Sequence, residues 1–338
     1  MSQARGGSTP LTRYHLILFQ DPRRELDRGV VRSIQAGLDQ QLVTSPTETA
    51  IDFWIESTGG DAHAAYKLVL DLRSRCKQLR SIVIDYAKSA ATLLVMGTDQ
   101  IFMAPAAELG PLDIQLEHPD REGVVISGLE AAGSLEFLGR TAFGLVCMGG
   151  AGIVKYTELP RAIVLHETTQ FVAQLLEPIV GKFDPHLIRR ANKQLKVAER
   201  YAITMLQKRV LPPSHQLSPE NAQKLLKRLV SEYPVHEFII SREEARELGL
   251  PVYYAESHPR WSSIKSLYDV PREEGSTLLT IIPDSEIEEI ERTSATASGE
   301  EENENQEQPT TEQPREADRQ QSGNGAGSVE ATARAKTV

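Results

Sequence analysis

"YAKSAATLLVMGTDQIFMAPAAELGPLDIQ", residues 86–115, places a serine shortly after an apolar run and directly before two alanines. Ser89 at the entry to a helix admits two readings. A hydroxyl there commonly caps the helix by accepting a backbone N–H. It can also stand free at the mouth of a cleft as a nucleophile. The surrounding chain decides the fold first. "SIVID" (81–85) reads as a strand, residues 89–96 as a helix and "QIFMA" (100–104) as another strand. Upstream, "HLILF" (15–19) and "AIDFWIES" (50–57) read as strands. Residues 25–42 and 61–76 between them carry apolar side chains at helical spacings of three and four. This alternation predicts an α/β fold with a parallel sheet and crossover helices.

In such sheets ligands bind where strands end and helices begin. Two of these turns stand out, "IESTGGDAH" (55–63) and "YAKSAAT" (86–92). Gly59-Gly60 removes side chains where backbone N–H groups can approach a ligand closely. The turn matches neither the dinucleotide nor the P-loop glycine pattern, which sets those readings aside. The amide of Gly60 and that of Ala90 together offer an oxyanion hole. A nucleophilic serine still requires a base, and a third group to orient it.

The segments "STGGDAHAAYKL", "YAKSAATLLVMGTDQIFMAPAAELGPLDIQ" and "HEFIISREEARELGL" resemble the serine dehydrogenase proteinase family, relatives of the Clp-type and signal-peptide peptidases. The resemblance covers residues 15–117 and again 233–254. It implies a Clp/crotonase-like spiral of ββα units in which Ser89 is the nucleophile and Gly60 and Ala90 donate to the oxyanion. Asp113, in "LGPLDIQ", occupies the position where Clp-type peptidases carry their histidine. A base must then come from later in the chain. His236, ahead of the family's last helix, resembles that element, with Asp113 to orient it.

Rivals come from the residues themselves. His63, just past the glycine turn, is an alternative base. Lys155 is a candidate for a Ser–Lys dyad, because burial depresses a lysine pKa. Lys88 adjoins the serine, but neighbours at a helix start point in different directions, so it reads as solvated. Asp61 and Glu108 rival Asp113, yet more simply serve as a helix-start carboxylate and a turn residue. His166 reads as interior; His118, His186, His215 and His258 read as exposed.

Length and composition bound the remainder. The 338 residues carry a net charge of −10, of which residues 284–338, with 14 acidic and 5 basic side chains, account for −9. The folded part is therefore close to neutral and offers no electrostatic case for nucleic-acid binding. Cys76 and Cys147 make neither a disulfide framework nor a metal cluster, and both read as buried thiols. No metal and no cofactor are expected. The N-terminus lacks the apolar core of a signal peptide, and no run approaches the ~18 apolar residues of a membrane span. A cytoplasmic protein without a membrane span is the expectation.

The domains expected are a flexible N-terminus (1–12), the peptidase domain (13–283) with a helical segment at 159–230, and a disordered acidic tail (284–338). Residues 121–157 are glycine-dotted and assign to no element. The function implied is a serine endopeptidase acting on peptide or protein substrates, and a homo-oligomer. Crotonase-like acyl-thioester chemistry and an inert oligomeric scaffold are the alternatives.

Overall fold

Strand β2 (Thr49–Ser57) is buried along its whole length, as expected of a near-continuous apolar strand with neighbours on both edges. The computed structural model describes residues 10–117, 123–208, 217–233 and 235–293. β1 (Thr12–Gln20) pairs parallel with β2, and β2 with β3 (Gln78–Ala87). β4 (Gln100–Met103) and the two-residue β5 (Glu108–Leu109) both run parallel to β3. Beyond β4 lies β8 (Val252–Tyr254), and β9 (Thr277–Pro283) adds antiparallel to β1. The order is β8-β4-β3-β2-β1-β9, with β5 beside β3.

Crossover helices join these strands. α1 (Arg28–Gln41) buries Val31, Ile34 and Leu38, at spacings of three and four, and Asp27 caps it by accepting from Val30 N. α2 (Ala62–Arg75) is capped by Asp61 and buries Ala64, Ala65, Leu68, Val69 and Leu72. α3 (Ala90–Met96) is buried at every position. The α/β architecture with a parallel sheet and crossover helices is therefore as the sequence predicts.

Past a small antiparallel pair, β6 (Gln115–Glu117) and β7 (Val125–Ser127), the chain becomes helical. α4 (Gly128–Tyr156) spans 29 residues, precisely where glycines obscured any element. Each interior glycine costs about 1 kcal/mol against alanine, so local propensity argues against this helix. Packing supplies part of the compensation. A Cβ at Gly149 would meet the Thr168 side chain at 3.1 Å, so the glycine lets α5 (Arg161–Val180) approach closely. α6 (Pro185–Lys208) and α7 (Pro219–Lys227) follow, then α8 (Arg242–Glu247) and α9 (Trp261–Tyr268).

Five expectations are corrected. α4 is long and apolar enough to cross a membrane by length and composition, and its most apolar window is unburied. Glu136 and Arg140, paired across one helical turn, interrupt the apolar sequence but not the helix. Cys147, on this helix, is exposed, whereas Cys76 is buried. His258 is buried rather than exposed, and His166 is exposed rather than interior. Finally, the first residues of the acidic tail, 284–293, form a helix. Asp284, Glu288 and Glu291, spaced by four and three, all bind Arg260, and Ile287 is buried. The rest of that tail and most of the N-terminal arm lie outside the described residues.

Candidate active site

The two turns singled out in the sequence touch. Gly59 and Gly60 have φ of 99° and 139°, in the left-handed region that only glycine enters at little cost. A Cβ on Gly59 would lie 2.5 Å from Lys88 O and 2.9 Å from both Ala90 N and Ser89 Cβ. The missing side chain is what lets the glycine turn abut the serine turn. Ser57 Oγ accepts from Gly59 N at 3.1 Å, and Lys88 N donates to Ser57 O at 3.0 Å, tying the ends of β2 and β3 together. Leu26 clasps the far side of the turn: its N donates to Gly59 O, and its O accepts from Asp61 N.

Ser89 is the one non-glycine residue with positive φ among the described residues, at φ 50° and ψ −118°. Such a backbone costs about 1–3 kcal/mol and persists only where surroundings enforce it. Its hydroxyl makes no capping bond to α3, which removes the simple cap reading. Thr92 holds the bend instead, donating to Ala87 O at 2.6 Å and accepting from Gly110 N at 3.1 Å. The Ser89 hydroxyl is left with one long contact, 3.4 Å to the backbone oxygen of Asp113.

A cleft of about 710 Å³ opens here, and Gly60, Ser89, Ala90, Asp113, His236 and His63 all line it. Asp113 is buried, and its carboxylate is already engaged. Oδ2 accepts from Ser127 Oγ at 2.5 Å, and Oδ1 from Leu129 N at 2.9 Å, so the N-terminus of α4 holds it. His236 Nδ1 lies 4.0 Å from Asp113 Oδ2, beyond hydrogen-bond reach, and is buried without a hydrogen-bond partner. Catalytic contacts in an unliganded cleft are often this loose and tighten with substrate.

The rivals fall elsewhere. His63 lines the cleft, but its Nδ1 is hydrogen-bonded to Tyr201 OH at 2.8 Å. Lys155 is exposed, its ammonium over the Tyr156 ring, and is not among the residues lining the cleft. At 1.5 Å per residue, α4 carries it about 40 Å from the helix end that grips Asp113. Lys88 pairs with Glu108 at 2.7 Å, so both are occupied, and Asp61 caps α2. Sequence reasoning missed Ser127. Its signal was the capping-box pattern Ser127-Gly-Leu-Glu130, lying in a stretch that assigned to no element.

Residues 36–130 match the family of ClpP-like SDH-type serine proteinases. This serine-proteinase match contains Gly59, Gly60, Ser89, Ala90, Asp113 and Ser127, and ends in the first turn of α4; His236 lies beyond it. An uncharacterized protein of the archaeon Methanocaldococcus jannaschii is 25% identical over 240 residues, 71% of this chain and 61% of the relative. The chain thus spans about three fifths of that relative's length. Among solved structures, a ClpP1 mutant from Listeria monocytogenes aligns over 71% of this chain and 91% of its own, at 12% identity and a TM-score of 0.33. A membrane-bound stomatin-specific protease mutant aligns over 47% and 70%, at 14% identity and a TM-score of 0.27. An enoyl-CoA hydratase/isomerase family protein from Silicibacter pomeroyi aligns over 30% and 52%, at 20% identity and a TM-score of 0.25.

Proposed function

We propose that the protein is a serine endopeptidase working through an acyl-enzyme on Ser89. The observation that carries this reading is the backbone of Ser89: a strained, positive-φ serine whose hydroxyl is spared from capping and lines a cleft. Strain of this kind at a strand-to-helix turn is a device for presenting a nucleophile.

In the first step Ser89 Oγ attacks the scissile carbonyl carbon, and its proton passes to His236 Nε2. The N–H groups of Gly60 and Ala90 receive the oxyanion, where preorganised donors are worth most. Asp113 faces His236 Nδ1 and favours the imidazolium that forms. The C–N bond then breaks, and His236 returns the proton to the leaving amine. Water enters, gives a proton to His236 and attacks the ester. Collapse releases the carboxylic acid product and restores the Ser89 hydroxyl with that proton.

Labelling by a fluorophosphonate probe tests the assignment. The wild type is expected to be labelled, and Ser89→Ala to lose labelling while its circular dichroism is unchanged. Persistent labelling of Ser89→Ala overturns the nucleophile assignment, and an unlabelled wild type favours the inert scaffold. The crotonase-type alternative would use the same amides on a thioester carbonyl. It is disfavoured by Asp113, whose carboxylate is spent on Ser127 and Leu129 rather than free to shuttle protons. The reading extends to a homo-oligomer, for which exposed Phe137, Phe143, Met148 and Phe171 on α4 and α5 offer apolar surface.

A further inference from the structure

α6 has two faces of opposite character. Ala191, Leu195, Ala198, Ala202 and Met205 are buried. On the other side His186, Arg189, Arg190, Lys193, Lys196 and Arg200 are all exposed. Their spacings of three and four place them on a single helical face, running about 20 Å along the axis. No ion pair joins the Arg189, Arg190, Lys193, Lys196 or Arg200 side chains to a described carboxylate. A row of cations without an ion pair among the described residues costs self-repulsion, and no described contact gives it a structural role.

The row is joined to the cleft. Pro185, His186, Arg189, Arg190, Lys193 and Gln194 border one open stretch of the surface of α6. Gln194 also lines the Ser89 cleft, together with Val197 and Ala198 of the same helix. A chain seated at Ser89 and leaving over α6 passes directly onto the cations.

We propose that this face of α6 is an exosite for an acidic stretch of the polypeptide substrate. The inference rests on the peptidase reading and names the substrate class that reading leaves open. Three observations select an acidic peptide over other polyanions. The apolar face of α6 is buried in protein and so is not free to insert into a bilayer as an interfacial basic helix does. Single-stranded nucleic acid needs aromatic platforms between the cations, and residues 189–200 contain no aromatic side chain. Continuity with the cleft through Gln194 suits a chain that is bound and cut in one pass.

The test uses a fluorescent neutral peptide and the same peptide extended by oligoglutamate at either end. Fluorescence anisotropy on the full-length protein reads binding and needs no turnover. At low salt the extended peptide is expected to bind about tenfold more tightly than the neutral one, with the gain screened away as salt rises. Arg189→Glu/Arg190→Glu/Lys193→Glu is expected to abolish the gain, and the triple Gln variant to reduce it. Where turnover is measurable, the ratio of KM between the two peptides, taken within each protein, is expected to follow the same order, with kcat unaffected by the extension. Equal binding of both peptides, a gain that survives charge reversal, or binding of phosphatidylglycerol vesicles or oligonucleotide in place of the peptide overturns the exosite. A wild type that binds the acidic peptide but takes no fluorophosphonate label keeps the exosite and rejects the peptidase.

Discussion

At Ser89 and Gly59 one conformation depends on the other. The serine holds φ of 50° only because Thr92 braces the bend and the glycine leaves room for Lys88 O and Ala90 N. Gly59→Ala would put a methyl 2.5 Å from Lys88 O at a φ of 99°. We expect it to cost at least about 2 kcal/mol in urea unfolding and to abolish fluorophosphonate labelling. Stability and labelling at wild-type levels would show that the two turns do not depend on this contact. Lys88 and Lys155 illustrate the opposite case. Lys88, read as solvated, is held by Glu108, and Lys155, the dyad candidate, is carried far along α4.

The first turn of α4 holds Asp113, which lines the cleft, and the rest of the helix lies at the surface. Ser127 caps the helix through Glu130 N and at the same time donates to Asp113, so one hydroxyl serves both helix and carboxylate. Ser127→Ala should therefore show two separable effects. Loss of the cap is expected to destabilise by about 1 kcal/mol. Loss of the donor is expected to lower kcat about tenfold with little change in KM, because Asp113 no longer faces His236 in a fixed pose. Ser127→Thr, which keeps a hydroxyl, is expected to restore both. An unchanged kcat in Ser127→Ala would detach α4 from the chemistry. Only the capping-box pattern at Ser127 hinted at this helix, because the interior glycines, among them the Gly149 that lets α5 pack closely, lower helix propensity.

Away from the cleft, near the amino ends of β1–β3, a polar network ties β1 to α9 and to the start of the helix at 284–293. Trp54 Nε1 donates to His15 Nδ1, so Nε2 carries the proton and donates to Asp284 Oδ1. Arg260 N donates to His258 Nδ1, and Nε2 of that ring donates to Asp52, which also accepts from Arg13 and Arg80. Burial alone would raise the Asp52 pKa; hydrogen bonds from His258 and Arg80, with the Arg80 and Arg13 charges, outweigh it and hold the carboxyl well below the ordinary range. Burial lowers the pKa of His15 from 6.5, against the pull of Asp52 and Asp284. The hydrogen bond from Arg260 is the largest influence on Asp284, and lowers it from 3.8 to about 2.

The signs agree for both groups. The unfolded chain binds more protons at His15 once pH falls below 6.5, and at Asp284 once it falls below 3.8, so each contribution is complete above those values and is lost on acidification. We expect urea stability to begin declining below about pH 6.5, and His15→Gln to remove that first limb while leaving the one between pH 3.8 and about 2. A pH profile unchanged by His15→Gln would exclude His15 as its source.

The order of strands and helices through Met103 was legible in the chain, because apolar periodicity and glycine turns are local properties that survive without tertiary context. So were the two turns that carry Gly60, Ser89 and Ala90, at the carboxyl ends of adjacent strands, whereas Asp113 entered only through the family resemblance. His236 became part of the cleft only through folding across more than a hundred intervening residues. The hidden partners of Asp113, the burial of His15 and His258, and the helix at 284–293 were decided in the same way. Each depends on hydrogen bonds and ion pairs between segments distant in sequence, and no period within a single segment records them.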